Sequence, residues 1–286
     1  MYKLLINVDQ LKALLDKGDT LVFDARHDLA DHDAGCRAYQ AGHIPGAFFL
    51  DHEKDLSAPK TGKNGRHPLP PLSELARLMR SYGVHEGKQV VVYDAGNSMF
   101  AAHVWWMLRW MGHETVAVLD GGWQAWQEHH GPISTETPKR PVDSTGQSAE
   151  TGPQSAMPTV TCDEVLRNIQ APRFTVLDAR AENRFKGEVE PMDPVAGHIP
   201  GALNRPNTLN IDASGRFLAP QTLRESFEKV LGSTSPEQVV HQCGSGITAC
   251  HNLLAMEVAG LSGSALYPGS WSEWCSDSTR PVATGN

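Results

Sequence analysis

The sequence predicts an α/β protein of two tandem domains, each a mainly parallel sheet flanked by helices. Short apolar runs of strand length alternate with helical patterns along both halves of the 286-residue chain. The word Asp-Ala-Arg, which ends a strand-like run, occurs at 24–26 and again at 178–180. The loop word Gly-His-Ile-Pro-Gly-Ala occurs at 42–47 and at 197–202. Because both words recur at nearly the same spacing, they indicate a duplicated domain, and alternating strands and helices predict parallel sheets.

In the first half, leucines at helical spacing predict an amphipathic helix over residues 8–17. Apolar runs at 21–23, 90–93 and 116–119 predict buried strands. A helix rich in tryptophan and methionine is expected over residues 103–111.

The second half repeats this pattern. An apolar stripe over 165–169 predicts a helix. Apolar runs at 175–177 and 265–267, and a short run that begins at Val239 and leads into Cys243, predict strands. A further helix is expected over 248–259.

These patterns predict a first domain over residues 1–130 and a second over 159–286. The stretch between them, 131–158, is rich in proline, serine and threonine and is typical of a linker. The chain is long enough for two separate hydrophobic cores.

Composition narrows the class of protein. A hydrophobic content of 40% and a charged content of 20% are ordinary for a globular protein. The net charge of −8 and the absence of a lysine or arginine run argue against a nucleic-acid partner. No apolar run is long enough for a signal peptide or a membrane span, so we expect a cytoplasmic protein without a membrane partner. Five cysteines without paired spacing favour a reducing compartment over a disulfide framework or a zinc site.

The most informative stretch is 239–249, where an apolar run leads into Cys243 and a glycine-punctuated loop. Gly244 and Gly246 let the backbone curl, which turns successive N–H groups inward as an anion-binding nest. The expected helix adds the positive end of its dipole, so both effects favour a thiolate at Cys243. The alternative is a buried structural cysteine at a strand end, and the local pattern leaves both open.

Residues 243–249, Cys-Gly-Ser-Gly-Ile-Thr-Ala, resemble the active-site loop of two-domain rhodanese-like sulfurtransferases, above all the CGSG-type loop of the 3-mercaptopyruvate sulfurtransferases. The resemblance implies two rhodanese-like domains, a Cys243 persulfide, and neither a metal nor an organic cofactor. It also implies an anionic sulfur donor, 3-mercaptopyruvate or thiosulfate, and an acceptor such as cyanide, a small thiol or a thioredoxin-like protein. The N–H groups of Gly244, Gly246, Ile247 and Thr248 would bind the transferred sulfur.

The duplication separates shared residues from those present in one half. Arg26 and Arg180 occupy the same word in both halves, which predicts structural ion pairs rather than a role in chemistry. The position equivalent to Cys243 is Asp94, which cannot carry a persulfide. We therefore expect the first domain to be catalytically silent.

Two residues lack a counterpart in the other half. The guanidinium fork of Arg184 suits a carboxylate or sulfonate, and the resemblance implies that it contacts the donor; the alternative is a surface arginine. His67 stands where the second half has Phe217. The resemblance implies a relay of Ser245, His67 and a carboxylate, either Asp51 or Glu53, whereas the alternative is an ordinary loop histidine.

The sequence also departs from the family. Met192 stands where 3-mercaptopyruvate sulfurtransferases usually carry a second substrate arginine, and Arg205 is a substitute by proximity in sequence alone. The preferred donor therefore stays open, with thiosulfate:cyanide sulfur transfer as the alternative main activity. A non-catalytic sulfur-carrier module is a further alternative. A phosphatase is disfavoured, because Ala249 stands where the Cys-x5-Arg pattern needs an arginine.

Overall fold

The computed structural model describes residues 1–140 and 155–286, so the middle of the expected linker, 141–154, lies outside the described residues. The chain divides into two units. The first unit comprises Met1–Ala58, Pro70–Met157 and Ala213–Arg216, and the second comprises Pro59–Leu69, Pro158–Asp212 and Phe217–Asn286. Each unit thus includes a short segment from the other half of the sequence.

The first unit contains a five-stranded parallel sheet. Its strands are β1 (Leu5–Ile6), β2 (Thr20–Asp24), β3 (Phe48–Phe49), β4 (Gln89–Tyr93) and β5 (Val116–Leu119). They pair in the order β1-β5-β4-β2-β3. Its helices are α1 (Val8–Leu15), α2 (Ala34–Ala41), α3 (Leu72–Ser81), α4 (Met99–Trp110) and α5 (Gly122–Glu128).

The second unit contains a four-stranded parallel sheet. Its strands are β6 (Thr175–Asp178), β7 (Leu203–Asn204), β8 (Val239–Gln242) and β9 (Ala265–Leu266), in the order β7-β6-β8-β9. Its α-helices are α6 (Cys162–Gln170), α7 (Glu182–Phe185), α8 (Pro220–Leu231), α9 (Ile247–Val258) and α10 (Ser270–Trp274). The prediction of parallel α/β sheets is confirmed for both units.

The central strands explain why the sequence predicts the sheets so directly. All residues of β4 and β8 are buried, because helices cover both faces of a parallel sheet and its inner strands become continuous apolar runs. Helices α1 and α6 both begin with a capping box, formed by Asn7 with Gln10 and by Thr161 with Glu164. Each box satisfies backbone N–H groups that the first turn of a helix leaves without a partner.

The repeated Asp-Ala-Arg word forms a buried ion pair in each unit, as predicted. Arg26 donates to Asp24 at 2.6 Å and to the carbonyl of Gly42 at 2.7 Å. Arg180 makes the equivalent bond to Asp178 at 2.7 Å. Each arginine thereby ties the end of a central strand to the Gly-His-Ile-Pro-Gly-Ala loop. Among the described residues, none of the helices combines the length and the apolar character that crossing a membrane requires.

Candidate active site

Cys243 lies where β8 ends and the loop toward α9 begins, and it is 2% exposed. Its N–H donates to Ser270 Oγ at 3.1 Å, and its carbonyl accepts the Trp271 N–H at 3.0 Å. Both bonds fasten the loop to α10. The Gly246 N–H donates to Cys243 Sγ at 3.2 Å. A backbone donor aimed at the sulfur stabilises negative charge on it.

Gly246 must be glycine for two separate reasons. Its φ of +91° lies in the left-handed region that side chains disfavour. A Cβ at this position would also lie 2.6 Å from the carbonyl oxygen of Pro268. This backbone conformation turns the Gly246 N–H toward Cys243 and starts α9 at Ile247.

Three of the other cysteines are buried thiols rather than thiolates. Cys250 is fully buried and donates to the Gly246 carbonyl at 3.3 Å. Burial, with the adjacent Cys243 adding to it, raises the pKa of Cys250 well above its usual range. Burial also raises the pKa of Cys162, and it raises the pKa of Cys275 to about 11. These thiols stay protonated at neutral pH and are poor nucleophiles.

Ser245 and His67 meet inside the second unit. His67 Nδ1 lies 2.8 Å from Ser245 Oγ, and both side chains are buried. Residues 59–69 belong to the second unit, whose next segment begins only at Pro158. This early segment places His67 beside Ser245. The structure therefore brings together three predicted catalytic residues, Cys243, Ser245 and His67.

The two candidate carboxylates lie in the first unit. Asp51 Oδ1 is buried in a turn and accepts the N–H groups of Glu53 at 2.9 Å and Lys54 at 3.2 Å. Glu53 Oε1 instead lies 3.5 Å from His32 Nδ1. The relay carboxylate stays a prediction, and Asp51 is the more buried of the two candidates.

Two guanidinium groups lie against Gly244, one of which the sequence analysis missed. A Cβ on Gly244 would lie 3.6 Å from Nη2 and 3.7 Å from Nη1 of Arg184, so this predicted residue does lie beside the loop. The same Cβ would lie 2.7 Å from Nη2 of Arg66. Although Gly244 and Ser245 carry no charge, these two arginines therefore place positive charge beside the loop.

Two carboxylates hold these arginines. Glu190 accepts from Arg184 Nη2 at 2.6 Å and from Arg184 Nε at 3.2 Å. Burial alone would raise the pKa of Glu190. The ion pair with Arg184 and the N–H groups of Met192 and Asp193 outweigh burial, so the pKa of Glu190 is lowered. Asp193 forms ion pairs with both Arg66 and Arg184. Met192, by contrast, is 37% exposed.

Arg205 does not serve as the substitute anchor suggested by its position in the sequence. It is 1% exposed and donates to Asn210 Oδ1 at 2.5 Å and to Ser226 Oγ at 3.1 Å. Its guanidinium carbon lies 3.6 Å from the centre of the Phe227 ring. Burial lowers the pKa of Arg205 to about 10. The suggestion is wrong because Arg205 is committed to the core of its own unit.

The equivalent loop of the first unit is filled by its own carboxylate. Asp94 Oδ1 accepts the N–H groups of Gly96 and Ser98, each at 3.0 Å, and Oδ2 accepts those of Phe100 at 2.9 Å and Ala101 at 3.2 Å. Burial raises the pKa of Asp94 even though these four bonds oppose the shift. The anion-binding loop is thus common to both units, and its occupant differs.

One group of possible metal ligands occurs among the described residues. His27, His32 and Glu53 of the first unit each place one ligand atom within 4.8 Å of the others. None of them belongs to the unit that contains Cys243.

The chain matches the family model of the Rhodanese-like domain twice, over residues 7–129 and 161–277. It is 46% identical over 285 residues to a probable 3-mercaptopyruvate sulfurtransferase of Pseudomonas aeruginosa, covering 99% of this chain and 98% of that protein. It is 37% identical over 293 residues to the putative thiosulfate sulfurtransferase SseB of Mycobacterium tuberculosis, with coverage of 99% and 98%. The structure of a 3-mercaptopyruvate sulfurtransferase from Leishmania major aligns with a TM-score of 0.81 at 27% identity, covering 98% of this chain and 76% of that one.

These matches confirm the predicted fold and the predicted family. Sulfur transfer is the activity that the homologues support, under both donor names. The two domain matches together span most of the sequence. The chain therefore belongs to the rhodanese-like family, as a sulfurtransferase of two rhodanese-like domains.

Proposed function

We propose that this protein transfers a sulfane sulfur from 3-mercaptopyruvate, through a persulfide on Cys243, to a thiophilic acceptor. The observation that carries the proposal is the 2.8 Å hydrogen bond between Ser245 Oγ and His67 Nδ1, beside Cys243. Mercaptopyruvate releases an enolate, which needs a proton, and a hydroxyl held by an imidazole supplies one. Thiosulfate releases sulfite, which needs no such proton, so the pair favours the mercaptopyruvate donor.

In the first half-reaction the Cys243 thiolate attacks the sulfur of 3-mercaptopyruvate. A sulfur–sulfur bond forms as the carbon–sulfur bond breaks, and the electron pair of the broken bond passes to the enolate of pyruvate. Ser245 protonates the enolate carbon, and the proton of the donor thiol restores the hydroxyl through His67. The products are pyruvate and a Cys243 persulfide anion, so the step is nucleophilic catalysis with a covalent intermediate.

The loop stabilises this intermediate. The Gly246 N–H already points at Cys243 Sγ from 3.2 Å, and we assign the outer sulfur to the N–H groups of Gly244, Ile247 and Thr248. In the second half-reaction cyanide, a small thiol or a thioredoxin-like protein attacks the outer sulfur. The sulfur–sulfur bond breaks, and its electron pair returns to Cys243 as the thiolate, which gives ping-pong kinetics.

The remaining assignments complete the proposal. Residues 1–130 would form a catalytically silent domain, because Asp94 fills the loop that Cys243 occupies in the catalytic domain, 159–286. Asp51, with Glu53 as the alternative, would be the carboxylate of the relay. All five cysteines are free thiols in the structure, which suits a cytoplasmic location and a reactive Cys243.

Thiosulfate is the second candidate donor, and one observation favours it. Arg66 and Arg184 both lie beside Gly244 and offer positive charge to a dianion. A comparison of kcat/KM for the two donors, with cyanide as the common acceptor, decides between them. We expect the higher value for 3-mercaptopyruvate, and a higher value for thiosulfate would overturn the assignment of the donor.

The persulfide itself is tested by mass spectrometry. Incubation with donor alone should add one sulfur, about 32 Da, to Cys243, and dithiothreitol should remove it, as a two-step scheme requires. Cys243→Ser should abolish sulfur transfer and leave the unfolding temperature unchanged. Recovery of the added sulfur on another cysteine would show that the nucleophile is wrongly assigned. Thiocyanate formation by the Cys243→Ser variant would show the same.

A further inference from the structure

The carboxyl ends of β2 and β3 bring two short segments of the first unit together. The two strands are parallel neighbours, with Asp24 opposite Phe49, so the chain leaves both of them at the same edge of the sheet. The segment after β2 contains His27 and His32, and the segment after β3 contains Glu53. These three side chains each place one possible ligand atom within 4.8 Å of the other two. Two separate stretches of sequence therefore meet in a cluster of two imidazoles and one carboxylate.

A turn and two ring contacts position the histidines. Asp28 Oδ1 accepts the Ala30 N–H at 2.7 Å, within the turn that separates the two histidines in the sequence. The rings of His27 and His32 stack with their centres 5.6 Å apart. The ring of Phe100, on α4, packs against the His27 ring at an angle of 77° with centres 5.1 Å apart. The His27 ring is thus in contact with neighbouring rings on two sides.

The distances within the cluster suit a tetrahedral metal ion. His32 Nδ1 lies 3.5 Å from Glu53 Oε1. Bonds of about 2.0–2.2 Å from Zn²⁺ to nitrogen and oxygen place two ligands of a tetrahedron about 3.3–3.5 Å apart. The ligand atom of His27, within 4.8 Å of the other two, reaches the same distance by rotation of side chains. The Glu53 N–H donates to Asp51 Oδ1 at 2.9 Å, which fixes the backbone that carries the carboxylate.

Charge and an unpartnered nitrogen both favour a cation at this position. His27 Nε2 is buried and has no hydrogen-bond partner among the described residues. A buried polar atom without a partner costs free energy, and a bound ion is one way to satisfy it. Residues 27–33 contain three aspartates and no lysine or arginine, and residues 51–55 contain three carboxylates and one lysine. The two segments together therefore attract positive charge.

We propose that His27, His32 and Glu53 form a binding site for a divalent transition-metal ion, with Zn²⁺ as the ion that the ligands fit best. Two imidazoles and a carboxylate supply three ligands. The fourth position of the tetrahedron faces solvent, because His32 is exposed. The bound ion links the segments that follow β2 and β3 and so stabilises the first unit. With Glu53 on the metal, Asp51 is the carboxylate that remains for the relay.

The first test is calorimetric titration of the full-length, chelator-treated protein with zinc chloride. His32→Ala removes one ligand from an exposed position, and His85→Ala is its matched control. His85 is an exposed histidine of the first unit whose Nδ1 lies 3.0 Å from the Glu86 carbonyl. We expect His32→Ala to raise the Kd for Zn²⁺ by more than roughly tenfold, since loss of even an outer-shell partner costs about that much. His85→Ala should leave the Kd unchanged, and equal affinities in the two variants would overturn the site.

The second test identifies the ligands by the absorption spectrum of the Co²⁺-loaded protein. We expect visible d–d bands of a four-coordinate ion without the near-ultraviolet band that a cysteine thiolate gives on Co²⁺, because imidazole and carboxylate are the ligands. His27→Gln and Glu53→Gln, which keep polar side chains, should both weaken the d–d bands. A thiolate band, or d–d bands that persist in both variants, would assign the ion to other residues and overturn the proposal.

The third test measures the link between the two segments by thermal unfolding with and without Zn²⁺. An ion that binds only the folded state raises the unfolding temperature. We expect this increase in the wild type and in His85→Ala, and we expect it to be lost in His32→Ala. Binding of Zn²⁺ without an increase in the wild type would overturn the stabilising role. None of the three measurements depends on sulfur transfer, so their failure is distinct from failure of the proposed function.

Discussion

Substitution of Gly246 by alanine tests the geometry of the sulfur site most directly. The new Cβ would lie 2.6 Å from the Pro268 carbonyl oxygen, a backbone atom, so one of the two segments has to move. Either movement displaces the Gly246 N–H from its position 3.2 Å from Cys243 Sγ. The substitution therefore removes a hydrogen bond to the reacting sulfur without changing any side chain that takes part in the chemistry.

Two separate effects contribute to the expected magnitude. A side chain at a φ of +91° costs about 1–2 kcal/mol in backbone strain, which lowers the free energy of unfolding. Loss of a hydrogen bond to a charged sulfur costs a further 1.5–3 kcal/mol, about 10- to 150-fold in the rate of persulfide formation. The first effect acts on stability alone, whereas the second acts on the reaction.

Gly201→Ala is the matched control. Gly201 lies in the same unit with a φ of +81°, and a Cβ there would meet nothing within 4 Å. Backbone strain should lower the free energy of unfolding of both variants by a similar amount, and the contact with Pro268 should lower that of Gly246→Ala further, as measured by urea denaturation. Only Gly246→Ala should slow single-turnover formation of the Cys243 persulfide at saturating donor. If both variants form persulfide at the wild-type rate, the Gly246 N–H does not stabilise the sulfur, and the account of the loop is refuted.

Two further predictions follow from the side chains around the loop. Ser245→Ala should lower kcat/KM for 3-mercaptopyruvate by about 100-fold, the lower range for general acid catalysis, and should change the value for thiosulfate by only a few-fold; equal losses would contradict the proton relay through His67. Glu190→Gln should lower the free energy of unfolding by about 2 kcal/mol at pH 7, because it removes charge-assisted bonds from Arg184. Since the pKa of Glu190 is lowered from its ordinary value of 4.5 in the folded protein, this stability is fully present above pH 4.5 and is lost as the pH falls through the lower folded value. Urea denaturation of both proteins should therefore show a difference that shrinks below pH 4.5, and a constant difference would contradict the assigned ionisation.

Local sequence patterns were sufficient to predict the duplication, the parallel sheets and the Cys243 loop. The central strands are continuous apolar runs because both faces of each sheet are buried. The edge strands β1, β3, β7 and β9 have two residues each, which is too short for a pattern of period two. The expected helix over 248–259 is α9, shifted by one residue, because glycine and a strand end mark its start in the sequence.

Comparison of the two halves identified Cys243 and Asp94 as equivalent positions. In the structure these residues occupy equivalent loops, with a thiol in one and a carboxylate in the other. The same comparison hid Arg66. Its sequence equivalent is Arg216, so a search for residues present in one half alone does not single out Arg66. In the structure, residues 59–69 belong to the second unit and residues 213–216 to the first, so the two arginines end in different surroundings.

The sequence by itself determined the fold and the family and singled out Cys243 as the candidate nucleophile, because these depend on periodicity and on adjacent residues. Tertiary structure alone decided which arginines lie beside Gly244. Arg205 is close to the loop residues of its half in sequence, yet its guanidinium is buried against Asn210 and Phe227. Arg66 precedes Gly244 by 178 positions in the sequence but lies beside it in the structure. The physical reason is that an ion pair such as Arg66 with Asp193 depends on distance in space, and no local pattern records which distant segments the chain brings together.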